Sequence, residues 1–115
     1  MKKKFKKKIC FDLDGVICET TGNDYENAKP IPGSIKKINK LFKNNHIIIF
    51  TARYMGRAKE KEKLAEKLAK PITLKQLKKW KLKYHKLIFG KPSFDLVIDD
   101  KSIFFKKNWF KKKIS

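Results

Sequence analysis

Four short apolar runs, each closing on polar or acidic residues, constrain the fold of this chain more than any other feature. Ile9-Cys10-Phe11 runs into Asp12, Ile47-Ile48-Ile49-Phe50 into Thr51, Leu87-Ile88-Phe89 into Gly90-Lys91, and Leu96-Val97-Ile98 into Asp99-Asp100. Unbroken apolar runs of this length suit strands of a parallel sheet covered on both faces. The first strand is predicted from Lys6 to Asp12 and the second from His46 to Thr51, with a loop over Leu13 to Asn27 where Gly15, Gly22 and Asn23 supply turn chemistry. Pro30, Pro32, Gly33 and Ser34 announce a helix, Ile35, Ile38, Leu41 and Phe42 follow at helical spacing, and Asn44-Asn45 close it. Arg57 to Lys70 predicts a second helix with Leu64, Ala65, Leu68 and Ala69 inward, ended by Pro71. Thr73 and Gln76 have capping-box spacing and predict a third helix through Leu77 and Trp80 to about Lys83. Ile103-Phe104-Phe105 predicts a short fifth strand. The alternation implies right-handed crossovers and an α/β, doubly wound parallel sheet.

The chain has 115 residues, enough for one domain with one modest core. Nothing divides it, so a single domain over 1–115 is expected, with basic tails at about 1–5 and 111–115, the latter mobile. Its apolar runs fall far short of the roughly 20 residues that cross a bilayer, so no membrane insertion is expected. The basic N-terminus meets Asp12 and Asp14 before any secretory apolar region develops. Cys10 and Cys18 have neither metal-ligand spacing nor a disulfide framework around them. A cytoplasmic protein is the expectation.

The net charge of +20 invites a nucleic-acid partner. Against this, only Arg53 and Arg57 among the 31 basic residues are arginine, the residue that makes bidentate phosphate and base contacts. The lysines are also spread from Lys2 to Lys113. Charge of this kind speaks to non-specific attraction and not to fold.

Open α/β sheets gather ligands at the carboxyl ends of their strands. That rule brings together Asp12, Asp14, Thr51, Lys91, Asp99 and Asp100, four carboxylates in a chain with 11 acidic residues. Clustered carboxylates repel one another unless a cation sits among them, and hard oxygen ligands near a phosphate favour Mg²⁺. Asp12 is then the candidate nucleophile for an aspartyl-phosphate intermediate. Asp14, on the same side of an extended segment, is the candidate general acid and base. Thr51, helped by neighbouring backbone amides, is placed to bond a phosphoryl oxygen, and Lys91 to neutralise developing charge. Asp99 and Asp100 complete the metal shell with Asp12 and Asp14. Phosphate-binding backbone is assigned to Leu13, Gly15 and Ala52, with Gly15 turning the chain. Arg53 is read either as a phosphate contact or as a structural ion pair. His46, His85, Trp80 and Leu77 read as packing residues, Cys10 and Cys18 as buried or inert, and Asp24 and Tyr25 as loop residues that touch substrate or order the loop.

The ordered pieces Phe11-Asp12-Leu13-Asp14-Gly15-Val16, Thr51-Ala52-Arg53, Lys91 and Ile98-Asp99-Asp100 resemble the four motifs of the haloacid dehalogenase superfamily. Asp24-Tyr25-Glu26-Asn27-Ala28-Lys29-Pro30, Thr73-Leu74-Lys75-Gln76-Leu77, Trp80, Tyr84-His85, Phe89-Gly90-Lys91-Pro92 and Asp99-Asp100-Lys101-Ser102 look like its small capsule-biosynthesis phosphatases. The resemblance covers about residues 9 to 105. It implies a Rossmann-like core, Asp12 as nucleophile, Asp14 as acid and base, Thr51 and Lys91 as phosphate binders, and Asp99 with Asp100 for magnesium. Tyr54 departs from the glycine frequent after the second motif. A carboxylate at Asp14 favours hydrolysis over preservation of a phosphoenzyme. A bacterial receiver domain uses similar residues, but there the acidic pair comes first in the chain.

Neither the stretch from Gly15 to Asn45 nor that from Thr51 to Lys91 can hold a separate cap of about 50 residues or more. The site is therefore expected to be open, unless a neighbouring subunit of a homo-oligomer or the Gly22-to-Lys29 loop covers it. The expected substrate is a sugar phosphate or related small phosphomonoester in capsule or surface-polysaccharide assembly. A phosphatase of nucleic-acid 3′ ends, or a catalytically idle nucleic-acid-binding or regulatory module on the same fold, are the alternatives.

Overall fold

The computed structural model describes residues 4–103 and 105–114. Strand β1 (Lys8–Asp12) leads through a tight turn to β2 (Cys18–Glu19), a 3-10 turn at Tyr25–Asn27 and β3 (Lys29–Pro30). Helix α1 (Pro32–Leu41), β4 (His46–Thr51), helix α2 (Glu62–Lys79) and β5 (Lys86–Phe89) follow, and a 3-10 turn spans Trp109–Lys111. β1, β4 and β5 form a parallel three-stranded sheet in the order β1-β4-β5. β2 and β3 form a separate antiparallel pair.

Both crossovers step the same way across this sheet. Because parallel crossovers are right-handed, α1 and α2 lie on one face. The core bears this out: Phe11, Ile47 and Ile49 from that face pack with Ile38 and Leu41 of α1 and Leu77 of α2. Cys10, Ile48, Phe50 and Ile88 alternate onto the opposite face and stay outside that cluster. The structure is thus a small α/β domain with a parallel sheet and two helices.

Local chemistry explains each boundary. Pro32 opens α1 at a position where its missing amide costs nothing. α1 stops at Leu41 because the Asn45 backbone amide and its side-chain amide, 2.9 Å away, both donate to the Leu41 carbonyl. The two helices expected around Pro71 are one. Pro71 sits exposed inside α2 and removes a single amide, while Ala69, Thr73, Gln76 and Leu77 on the other side are buried. Packing of that face outweighs the proline cost of about 3 kcal/mol. Thr73 and Gln76 accordingly point into the protein rather than cap a helix.

The C-terminal third departs furthest from expectation. Leu96, Val97 and Ile98 form no strand and are 79, 60 and 92% exposed. Ile103 and Phe105 are irregular and exposed, and Phe104 lies outside the described residues. A lone apolar run reads as a buried strand in sequence, yet pairing needs a neighbour, and β1 pairs only with β4 among the described residues. Near the C-terminal end Trp109 is buried against Phe11 at 5.3 Å between ring centroids, and Lys7 Nζ donates to the Ile114 carbonyl. Of the expected N-terminal tail, residues 1–3 lie outside the described residues.

Candidate active site

A cavity of about 380 Å³ opens at the carboxyl ends of the parallel strands. Its walls include Asp12 and Asp14 after β1, Ala52 and Arg53 after β4, and Lys91 after β5. Three strand ends therefore meet where the sheet rule places a ligand.

Asp12 carries the most chemistry. Its Oδ1 accepts the Leu13 amide at 2.9 Å and lies 3.5 Å from Lys91 Nζ. Its Oδ2 takes no bond from any described residue and is left for a ligand. Burial pushes the carboxyl above its ordinary range, the Lys91 ammonium and the Leu13 amide pull it down, and the Asp14 charge pushes it up again. Lys91 is aimed by its flanks. Gly90 adopts φ +89°, where a Cβ would come within 2.9 Å of Glu62. Glu60 then accepts the Ser93 amide and hydroxyl at 3.0 and 2.9 Å.

Asp14 is clamped. Arg53 Nε donates to Oδ2 at 2.9 Å and Nη2 to Oδ1 at 2.9 Å, and the Thr20 hydroxyl donates to Oδ1 at 2.5 Å. The Arg53 side chain is fully buried, whereas that of Asp14 retains 24% exposure toward the cavity. The other guanidinium nitrogen, Nη1, reaches Gln76 Oε1 at 2.5 Å and Thr73 Oγ1 at 3.2 Å. Gln76 Nε2 donates onward to the Tyr25 carbonyl at 2.6 Å. Of the two sequence readings of Arg53, the ion pair is present, and Arg53 also borders the cavity.

The remaining expected residues divide. Thr51 is buried, and its Oγ1 accepts the Arg53 amide at 3.1 Å instead of facing the cavity. The Leu13 amide serves Asp12, and Gly15, at φ +92°, donates its amide to the Cys18 carbonyl. Of the predicted backbone positions only Ala52 borders the cavity, beside Arg53. Asp99 and Asp100 are exposed and do not line it; Asp99 caps its own turn through the Lys101 amide at 2.8 Å. Tyr25 lines the cavity, while Asp24 orders the loop by bonding Asn27.

A divalent cation is tested by the donors present. Asp12 and Asp14 are two carboxylates on one cavity, and their mutual repulsion contributes to the raised Asp12 carboxyl. Mg²⁺ commonly takes one or two carboxylates and keeps several waters, so this pair fits, although no described residue supplies a third carboxylate.

The histidines pack as expected. His85 stacks on Phe42 at 4.3 Å and on His46 at 4.9 Å, and its Nδ1 accepts the Ile47 amide. Cys18 is buried, its thiol pushed up to about 11 by burial and by Asp14, whereas Cys10 is exposed. Sequence reasoning missed Tyr54, Arg57 and Phe94 on the cavity wall. The signal for Arg57 was its type, one of two arginines in a lysine-rich chain. No helix among the described residues is long and apolar enough to cross a membrane.

No family model matches the chain, and no curated protein matches it. Among solved structures, the crystal structure of an MCSG target from Vibrio cholerae is similar, with a TM-score of 0.81 and 27% sequence identity. The likeness covers 90% of this chain and 86% of that one.

Proposed function

We propose that this chain is a phosphomonoester hydrolase of haloacid dehalogenase type. The observation that carries the reading is Asp12: a half-buried carboxylate at a strand end, with Oδ1 fixed by the Leu13 amide, a lysine beside it and a second carboxylate in the same cavity. That constellation suits attack on phosphorus. Asp12 Oδ2 forms the bond to phosphorus as the ester oxygen leaves, taking a proton delivered through Asp14. Water then attacks the aspartyl phosphate, Asp14 accepts the water proton, and inorganic phosphate departs. Lys91 balances charge on the phosphoryl oxygens, while Arg53 and Thr20 keep Asp14 in one orientation.

Mg²⁺, held by Asp12 and Asp14, supplies charge neutralisation between nucleophile and phosphate when bound. In the doubly wound form of the fold, Leu96–Ile98 pairs with the free edge of β1 and carries Asp99 and Asp100 to the same ion. Two observations support that docking: three consecutive apolar side chains stand in water, and the β1 edge has no partner among the described residues.

The proposed substrate is a small phosphorylated metabolite, sugar-linked and used in cytoplasmic steps of capsule or surface-polysaccharide assembly. The charge of +20 favours a second reading, a phosphatase of nucleic-acid 3′ ends. Phosphate release from sugar phosphates, other small phosphoesters and 3′-phosphorylated oligonucleotides, assayed with Mg²⁺, decides between them. No release from any of them would count against both phosphatase readings.

A further inference from the structure

The lysines are scattered along the chain, but both arginines line the cavity that holds Asp12 and Asp14. Arg53 is spent on Asp14. Arg57 is exposed and makes no ion pair with any described carboxylate. Its guanidinium lies 5.0 Å from the Tyr54 ring centroid, Tyr54 lies 4.9 Å from Tyr25, and Tyr25 lies 5.1 Å from the Arg53 guanidinium. One wall is thus a continuous run of contacts from Asp14 through Arg53, Tyr25 and Tyr54 to Arg57.

The segment that presents Arg57 is built to hold its shape. Tyr54 adopts φ +64°, a left-handed conformation rare for a side chain of its size. It is fixed there by the Ala58 amide on the Tyr54 carbonyl and by Met55 and Ala58, both buried against Ala65. Arg57 covers a face of Tyr54, so this part of the wall offers a guanidinium rather than a bare aromatic face. Stacking also pre-orders that fork and lowers the entropy lost when it binds. A guanidinium so placed takes an oxyanion by paired N–H bonds, and the phosphoryl group under attack is already served by Lys91 next to Asp12.

We propose that Arg57, steadied by Tyr54, binds a second anionic group of the substrate. The preferred substrates are then phosphomonoesters that also bear a carboxylate or a second phosphate. This rests on the phosphatase reading of the same cavity.

Calorimetry on Asp12→Asn protein tests it without turnover, using glucose 6-phosphate, 6-phosphogluconate and glucose 1,6-bisphosphate. The expected result is binding of at least one doubly anionic ligand at least about tenfold tighter than glucose 6-phosphate. That ratio should collapse toward one in Asp12→Asn/Arg57→Gln, and the carboxylate and bisphosphate arms identify which anion is read. Equal affinities for the three ligands, or a preference that survives Arg57→Gln, overturns the proposal and leaves the phosphatase reading intact. No binding of any of them, together with no phosphoester turnover by the unmodified protein, overturns both.

Discussion

Asp12 is the residue on which the chemistry turns, and its environment dictates its pH behaviour. Burial raises its carboxyl while Lys91 opposes the rise. In the metal-free protein this carboxyl is therefore expected to titrate above the ordinary aspartate value of about 3.9. Lys91→Met removes the opposing cation, so the titration, followed by carboxyl NMR without Mg²⁺, should move to still higher pH; a downward shift would contradict the assignment. The same shift has a stability consequence. A carboxyl raised on folding favours the folded state least once it is ionised in both states, above its folded pKa, and the penalty vanishes below the unfolded pKa. Asp12→Asn should therefore raise Tm at neutral pH, with the gain disappearing in acid. Arg53 acts through Asp14: Arg53→Met leaves that carboxylate unpaired and is expected to cost about 3 kcal/mol or more in urea unfolding. At this scale much was legible in advance. Asp12, Asp14 and Lys91 announce themselves by closing apolar runs, whereas Arg57 and Tyr54 sit in a turn whose left-handed backbone leaves no periodic trace.

Elements were legible where a periodic pattern coincided with a packing partner. β1, β4, β5 and α1 follow from apolar runs and helical spacing, of which the structure buries the face toward the helices more than the other. α2 was misread because proline is a local signal, while the interactions that carry the helix past Pro71 are remote: Thr73 and Gln76 both bond Arg53, twenty or more residues earlier. Pro71→Ala should restore the missing donor and raise stability by up to about 3 kcal/mol; a loss on chemical denaturation would mean that the break at Pro71 is needed. The Leu96–Ile98 run shows the opposite case, a strand pattern without a strand partner. If it docks on β1 when the site is loaded, its amides should gain hydrogen-exchange protection on adding Mg²⁺ with a phosphate analogue such as vanadate. Unchanged exchange there would confine the acidic pair Asp99 and Asp100 to a surface turn.

For the molecule as a whole, topology explains why a site forms at all. Parallel strands present their carboxyl ends together, so side chains distant in sequence, Asp12, Arg53 and Lys91, come to border one cavity. The two same-direction crossovers leave the opposite sheet face with Cys10, Ile48, Phe50 and Ile88 uncovered by helix. Alternation of strands and helices in the sequence specifies parallel pairing, but not whether later strands return across β1. The net charge of +20 is borne mainly by exposed lysines, and its self-repulsion is a property of the whole surface. Covalent attack by Asp12 is tested most directly by acid-quenching the protein during turnover of a phosphoester, converting the acyl phosphate to a hydroxamate with hydroxylamine, which releases phosphate, and mapping that hydroxamate by mass spectrometry. The predicted result is modification at Asp12 alone, lost in Asp12→Asn together with turnover. Sustained hydrolysis by Asp12→Asn, or an adduct mapped to another residue, would contradict it.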